Sequence, residues 1–351
     1  MEEVGKHILV TRFSALGDVA MTVPVLKQLL EQHPALQLTM VAPEKFRVFF
    51  DQFPRLRFFA ADLKGRHSGF PGLLRLFREL KEFGPFDGYA DLHNVLRTSI
   101  LRVFARLAGI KVAVIDKGRS EKKELTRKRN KRLRPLKSTF ERYSEVFEQL
   151  GCSMNLDRNK PLNLHWPLTG QVQNLFQTDL NSKLTVGIAP FAQYKEKTYP
   201  PEKMEEVVRE LSARGIRICL FGGGEREVQI LKNWENKYEN AICIAGRLTI
   251  ENELALMSEL KLMVCMDSAN MHLASLAGTR AISIWGATHP FAGFYGWNQK
   301  EGDIVQVSLY CRPCSVFGNK PCYRGDHACM NTIEPRKLVE KILRKLNIQD
   351  N

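Results

Sequence analysis

The sequence predicts two successive α/β domains, each a doubly wound parallel sheet covered by helices. Three observations carry this expectation. The chain has 351 residues, more than one hydrophobic core usually organises. Short apolar runs alternate with segments of helical spacing, which is the pattern of a parallel sheet wrapped by helices. The alternation stops in the Asn- and Pro-containing stretch Gly151 to Thr169 and then starts again. With 44% hydrophobic and 26% charged residues, the composition is that of an ordinary globular chain, not a disordered, collagen-like or membrane-embedded one.

In the first half, His7 to Thr11 (HILVT) reads as a strand, Arg12 to Asp18 as a glycine turn, and Val19 to Glu31 as a helix. Leu36 to Ala42, Leu56 to Ala60, Gly88 to Leu92 and Lys111 to Ile115 read as further strands. Phe70 to Phe83, Val95 to Leu107 and Ser138 to Leu150 have helical spacing. In the second half, Leu184 to Ala189, Ile216 to Phe221, Ala241 to Ala245, Leu262 to Met266 and Ala281 to Trp285 are continuous apolar runs, as strands buried on both faces require. Glu202 to Ala213, Glu225 to Trp234, Glu251 to Leu260 and Met271 to Leu276 are the helices between and after them. Pro335 to Leu346 is a terminal helix with proline in its first turn. The expected domains are 1–165 and 166–334, followed by a helix in 335–351, with ligands at the carboxyl ends of the strands in a cleft between the domains.

The net charge is +14, which favours an anionic partner. Lys117 to Lys137 holds eleven basic residues and two acids, a net +9 in twenty-one positions. Such a run is either a solvated loop or a surface for phosphorylated lipid or nucleic acid. It contains no aromatic residue on which bases would stack, so no nucleic-acid partner is expected. No run reaches the roughly 18 to 20 apolar residues of a membrane helix. Met1-Glu2-Glu3 lacks the basic start of a signal peptide, so a cytoplasmic protein is expected. Of the eight cysteines, Cys152, Cys219, Cys243 and Cys265 lie in apolar runs, as reduced thiols do. Cys311, Cys314, Cys322 and Cys329 cluster, with one zinc-ribbon-like spacing and a second pair that lacks it, which leaves reduced thiols or a structural zinc site open.

Four segments hold candidate chemistry. Asp18, in the turn after the first strand, is placed to take a proton or to cap a helix. Asp267-Ser268-Ala269, leading through Asn270 and Met271 to His272, begins a helix after a buried strand; either small side chains there let N–H groups approach a phosphate, or Asp267 or Ser268 is a plain cap with His272 satisfied inside the helix. Gly222-Gly223-Gly224 followed by Glu225 permits close ligand approach, and Glu225 suits a ribose hydroxyl pair or a helix N-terminus. The loop Lys195-Glu196-Lys197-Thr198-Tyr199-Pro200-Pro201 after the strand LTVGIA either brings an ammonium to a diphosphate leaving group or holds only surface lysines.

RFSALGDVAMTVPVL, Lys197-Thr198-Tyr199-Pro200, FGGGERE and MDSANMHLASLAGTRAISIWGATHP, in this order, resemble the ADP-heptose:lipopolysaccharide heptosyltransferases, glycosyltransferase family 9, over nearly the whole chain. The resemblance implies a GT-B fold of two Rossmann-like domains facing a central cleft, with the acceptor on the first and the nucleotide sugar on the second. It implies an inverting enzyme that moves heptose from ADP-heptose to a lipid A-Kdo acceptor of the lipopolysaccharide inner core, without a cofactor or required metal. Asp18 would be the catalytic base and Lys197 the group that neutralises the departing diphosphate. Glu225 would hold the ribose, with Gly222, Gly223, Gly224, Asp267, Ser268, Ala269 and His272 lining the donor site. Arg12, Ser14, Gly17, Lys122, Arg127 and Arg129 would contact the acceptor, and the basic run would hold the enzyme at the inner face of the cytoplasmic membrane as a peripheral protein. Relatives carry Asp-Thr/Ser-Gly where this chain has Ala269. The alternatives are a GT-B transferase or epimerase using another nucleotide sugar, and a non-catalytic protein that binds phosphoglycolipid or RNA.

Overall fold

A computed structural model describes residues 5–176 and 184–348. Met1-Glu2-Glu3, on which the absence of a signal peptide was argued, lies outside the described residues. The chain divides into two compact units, residues 1–119 with 137–158, and 120–136 with 159–351. The division differs from the expected one at 165/166, and segment 120–136 belongs to the second unit rather than the first.

The first unit runs β1 (His7–Thr11), α1 (Leu16–Ala20), α2 (Thr22–Gln32), β2 (Gln37–Ala42), β3 (Leu56–Ala60), α3 (Gly69–Lys81), β4 (Gly88–Asp91), α4 (Leu96–Leu107), β5 (Lys111–Val114), α5 (Arg119–Thr126) and α6 (Thr139–Gln149). Only the first residue of α5 falls in this unit. Its sheet is wholly parallel in the order β3-β2-β1-β4-β5. Leu9, Val41 and Tyr89 project from it into a core closed by Leu73, Leu76, Phe77 and Leu80 of α3 and Leu101 and Ala105 of α4. The strand order reverses between β1 and β4, where Thr11 pairs with Asp91, and the crevice above such a reversal is where open α/β sheets hold ligands. The single helix expected over Val19 to Glu31 is two helices meeting at Met21.

The second unit adds α7 (Gly170–Gln173), β6 (Thr185–Ala189), α8 (Pro201–Ala213), β7 (Arg217–Leu220), α9 (Glu225–Lys237), β8 (Ala241–Cys243), α10 (Ile250–Glu259), β9 (Leu262–Met266), α11 (Ala269–Leu276), β10 (Ala281–Ile284), β11 (Ile304–Val305), α12 (Ala328–Asn331) and α13 (Pro335–Lys345). Its parallel sheet has the order β11-β10-β9-β6-β7-β8. Counted from β6, this is the dinucleotide-fold order with its reversal between β6 and β9. Val186, Ile188, Val264 and Ile282 are buried on one face under Met204, Val207, Val208 and Leu211 of α8 and Leu338, Val339 and Ile342 of α13. The basic run, for which a solvated loop was one reading, contains α5. That helix stands on buried Leu125 and Lys122, and the Lys122 ammonium lies over the Phe294 ring at 4.4 Å.

Candidate active site

In the first unit, the turn after β1 carries Asp18 into the first turn of α1. Asp18 is not the N-cap. From the third helical position its Oδ2 accepts the N–H of Ala15 at 3.2 Å, so the side chain satisfies one of the donors that a helix start leaves open. The same oxygen pairs with Arg12 Nη2 at 2.7 Å. Oδ1 has no partner among the described residues and about a third of the side chain is exposed, so one carboxylate oxygen is oriented while the other remains able to accept a proton. Arg12 is buried and donates from Nη1 to the Leu92 carbonyl at 2.8 Å, which ties the turn after β1 to the end of β4. Burial opposes its charge, but Tyr143 and Asp18 outweigh this and raise its pKa. Ser14 and Gly17 lie in the same turn, Ser14 exposed and Gly17 half-buried.

Two residues absent from the sequence-based candidates complete this corner. Asp91, fully buried at the end of β4, accepts the N–H groups of His93 and Asn94 on Oδ1 at 2.9 and 2.8 Å. His93 Nδ1 accepts the N–H of Phe13 at 3.4 Å, and Nε2 stands 3.5 Å from Ser14 Oγ. Burial, with Arg12 and Lys117 nearby, pushes the His93 pKa down to about 3. The ring is therefore neutral at physiological pH and serves as an acceptor beneath the Asp18 turn.

In the second unit, a 3₁₀ turn over Lys195–Lys197 follows β6, and Asp267 follows β9. Lys197 Nζ and Asp267 Oδ2 are 3.0 Å apart with side chains only 14% and 7% exposed, and Thr288 Oγ1 donates to the same carboxylate oxygen at 2.8 Å. Ser268 is the N-cap of α11, yet its hydroxyl makes no capping bond, and the buried Oγ has no hydrogen-bond partner. Ala269 is the first helical residue, and His272 is buried within the helix. An ammonium, an unsatisfied hydroxyl and the open N–H groups of a helix start, at a topological switch point, are groups chemically suited to a phosphate. The methylene stem of Lys197 lies against Gly318, which has φ +78°; a Cβ there would come within 2.4 Å of Lys197 Cγ and 2.5 Å of Cδ. Only glycine fits.

The matching family model is glycosyltransferase family 9 (heptosyltransferase), over residues 73–321. The chain belongs to glycosyltransferase family 9. Among curated relatives, lipooligosaccharide heptosyltransferase 2 of Campylobacter jejuni is 26% identical over 170 residues, 46% of this chain and 51% of the relative, so the match spans about half the length of that protein. The lipopolysaccharide core heptosyltransferase OpsX of Haemophilus influenzae is 24% identical over 300 residues, 82% of this chain and 81% of the relative. Among solved structures, a family 9 glycosyl transferase from Veillonella parvula superposes with a TM-score of 0.76 at 21% identity, covering 99% of each chain. Escherichia coli heptosyltransferase WaaC with ADP-2-deoxy-2-fluoro heptose gives 0.64 at 17% identity, covering 96% of this chain and 99% of that one. These structural likenesses establish the GT-B fold.

The remaining family 9 candidates are placed as follows. Gly222 is half-buried, Gly223 and Gly224 are exposed, and Gly224, at φ +88°, starts α9. Glu225 is exposed and no interaction is recorded for its side chain among the described residues. The carboxylate that holds the glycine loop is Glu227, whose Oε2 accepts the Gly223 N–H at 2.8 Å. Burial raises the Glu227 pKa, an effect partly offset by that bond. The i+4 relation between Gly223 and Glu227 is the sequence signal that could have singled it out. Lys122 is buried on Phe294, whereas Arg127 is half-buried and Arg129 exposed. Cys311, Cys314, Cys322 and Cys329 line one small pocket with Arg312 and Arg324. All eight cysteines are free thiols. Among the described residues no three His, Cys, Asp or Glu side chains converge as metal ligands. Burial pushes the Cys329 thiol up to about 11 and raises that of Cys314, so both are protonated at neutral pH. No helix among the described residues is long and apolar enough to cross a membrane.

Proposed function

We propose that this chain transfers heptose from ADP-heptose to the lipid A-Kdo inner core of a lipopolysaccharide precursor, with inversion at the anomeric carbon. The observation that carries the reading is Asp18, held on one oxygen by Arg12 and Ala15 and open on the other. It is supported by the relatives, which are lipopolysaccharide and lipooligosaccharide heptosyltransferases, and by a solved WaaC with ADP-2-deoxy-2-fluoro heptose. Asp18 Oδ1 takes the proton of the acceptor hydroxyl as the hydroxyl oxygen attacks the anomeric carbon. The bond from that carbon to the β-phosphate oxygen breaks on the opposite face, and ADP leaves with the electron pair. Lys197, the Ser268 hydroxyl and the first N–H groups of α11 carry the charge that develops on the diphosphate, the term that usually contributes most to lowering such a barrier. Glu225, exposed and without a bond among the described residues, holds the ribose hydroxyls, and Gly223 and Gly224 let the backbone approach the nucleotide. Arg12, Ser14 and Gly17, with Arg127 and Arg129, receive the acceptor, and the basic run keeps the enzyme on the inner face of the cytoplasmic membrane.

The test is transfer by the purified protein with ADP-heptose and lipid A-Kdo acceptor, followed by ADP release and product mass. Wild type produces heptosylated acceptor, and Asp18→Asn lowers kcat by roughly 100-fold or more while leaving ADP binding intact, as expected for loss of a general base. Near-normal transfer by Asp18→Asn overturns the base assignment. A melting temperature raised by UDP, GDP or CDP but not ADP points to another nucleotide sugar.

A further inference from the structure

Within the second unit, a surface cavity of about 470 Å³ lies between the last turn of α5 and the cysteine-rich segment. Lys123, Arg127 and Lys128 form one wall; Cys314, Lys320 and Tyr323 belong to the other. Neither wall depends on a ligand for its position. Lys122, one residue before Lys123, is buried on Phe294. Lys131 donates to the Cys311 and Pro313 carbonyls at 2.7 and 2.6 Å, and the N–H of Leu136 bonds to the Phe291 carbonyl at 2.9 Å. The Lys128 ammonium sits 4.8 Å from the centre of the Tyr323 ring and joins the two walls at the rim.

The charged side chains lining this cavity are all cationic. None of its lining residues is acidic. Two acids near the lining residues in sequence are engaged elsewhere: Glu124 pairs with Arg132 at 3.2 Å, and Asp326 with Arg324 at 2.6 Å. Among the described residues Lys123 and Lys320 make no ion pair or hydrogen bond, and Arg127 donates from Nε to the Asn130 carbonyl at 2.6 Å, which leaves its two terminal amino groups for a ligand. Four cations held around one hollow repel one another, and an anion relieves that repulsion more fully the more charge it concentrates. A guanidinium fork beside point-charge ammonium groups matches a tetrahedral oxyanion.

We propose that this cavity is a binding site for a doubly charged phosphomonoester, recognised by Lys123, Arg127, Lys128 and Lys320. Arg127 and the basic run are shared with the acceptor and membrane contacts proposed above, and the cavity deepens that reading by naming a phosphomonoester group; its test reads binding and not heptose transfer. A phosphorylated lipid headgroup and a free phosphate share this chemistry.

The experiment uses the full chain and two probes: inorganic phosphate, titrated calorimetrically at fixed ionic strength, and phosphatidylcholine vesicles containing phosphatidic acid, followed by sedimentation. Chloride-matched titrations and vesicles with the same net charge from phosphatidylglycerol, a phosphodiester, are the controls. Wild type binds phosphate saturably or binds phosphatidic acid vesicles in preference to the phosphatidylglycerol ones. Lys123→Ala and Lys320→Ala each weaken that binding about tenfold, the worth of one charge-assisted hydrogen bond, and Lys123→Arg with Lys320→Arg restores most of it. Both substituted positions are exposed, so the melting temperature stays unchanged. Binding of free phosphate identifies a soluble ligand, and binding of the vesicles alone identifies a headgroup; both support the site. No binding of either probe, equal binding of phosphatidic acid and phosphatidylglycerol vesicles without phosphate binding, or unchanged affinity in both alanine variants overturns it. Heptose transfer by wild type together with that result would leave the enzymatic reading standing and end this one.

Discussion

Replacing Lys197 by methionine separates the folding role of the Lys197–Asp267 pair from its chemical role. At 3.0 Å and an effective dielectric of about 20, the Coulomb attraction is about 5 kcal/mol. Much of this is offset by the cost of taking both charges out of water, so the net worth of the intact pair is small. Removing one partner is different, because it strands the Asp267 carboxylate in a site where its side chain is 7% exposed. Breaking a buried pair this way costs about 3 to 5 kcal/mol, and the remaining Thr288 hydroxyl at 2.8 Å places the expected loss near the lower end. For a unit of this size, about 3 kcal/mol corresponds to roughly 6 to 12 °C in melting temperature. The double variant Lys197→Met/Asp267→Asn removes the stranded charge and should recover most of that drop. Differential scanning calorimetry of wild type, both single variants and the double variant closes the cycle. If the double variant melts as low as Lys197→Met, or if the two single losses simply add, no charge was stranded and the reasoning fails. Catalysis behaves independently of this recovery: both variants that lack the ammonium lose roughly 100- to 1000-fold in kcat, the usual effect of deleting a leaving-group stabiliser.

Gly318→Ala forces a methyl into the Lys197 stem, so ADP affinity measured by thermal shift should fall several-fold while the fold is kept; unchanged affinity would show that Lys197 does not depend on that seat. Burial raises the Glu253 pKa to about 7, and an acid with a raised folded pKa contributes stability that is complete below its unfolded value and lost as pH rises through 7. Glu253→Gln is therefore expected to raise stability at pH 8 by roughly 3 kcal/mol relative to wild type and to do little at pH 4, as read from melting temperatures across that range. His93 has the opposite sign: its pKa is lowered to about 3, so its contribution is present above pH 6.5 and lost as pH falls from 6.5 towards 3. His93→Gln, which can still accept the Phe13 N–H, should flatten that acid-side decline and keep kcat, whereas His93→Leu should lower kcat by disordering the Asp18 turn; equal kcat in both variants would remove His93 from the positioning of Asp18.

Much of the fold was legible in the chain. Strands of a parallel sheet are buried on both faces and so appear as unbroken apolar runs; His7–Thr11, Leu56–Ala60 and Leu262–Met266 have the bounds read from sequence. That Asp18, Lys197 and Asp267 lie beyond the carboxyl ends of strands was also legible, and such sheets present ligand-binding groups there. Element α5 was not, since its eight residues carry little apolar periodicity and it is held by contacts made much later in the chain, such as Lys122 on Phe294.

Local order along the chain determined the two doubly wound units and the position of each candidate group at a strand end, because backbone hydrogen bonding and apolar periodicity act over a few residues. Tertiary packing alone decided what those groups touch. It set His93 beneath Phe13, Gly318 against Lys197, and Glu227 rather than Glu225 on the glycine loop. It also gathered cations from positions 123 and 320 around one hollow. Side chains distant in sequence meet only when strands and helices have docked, and the energy of a charge depends on that final enclosure, which spacing along a chain does not encode.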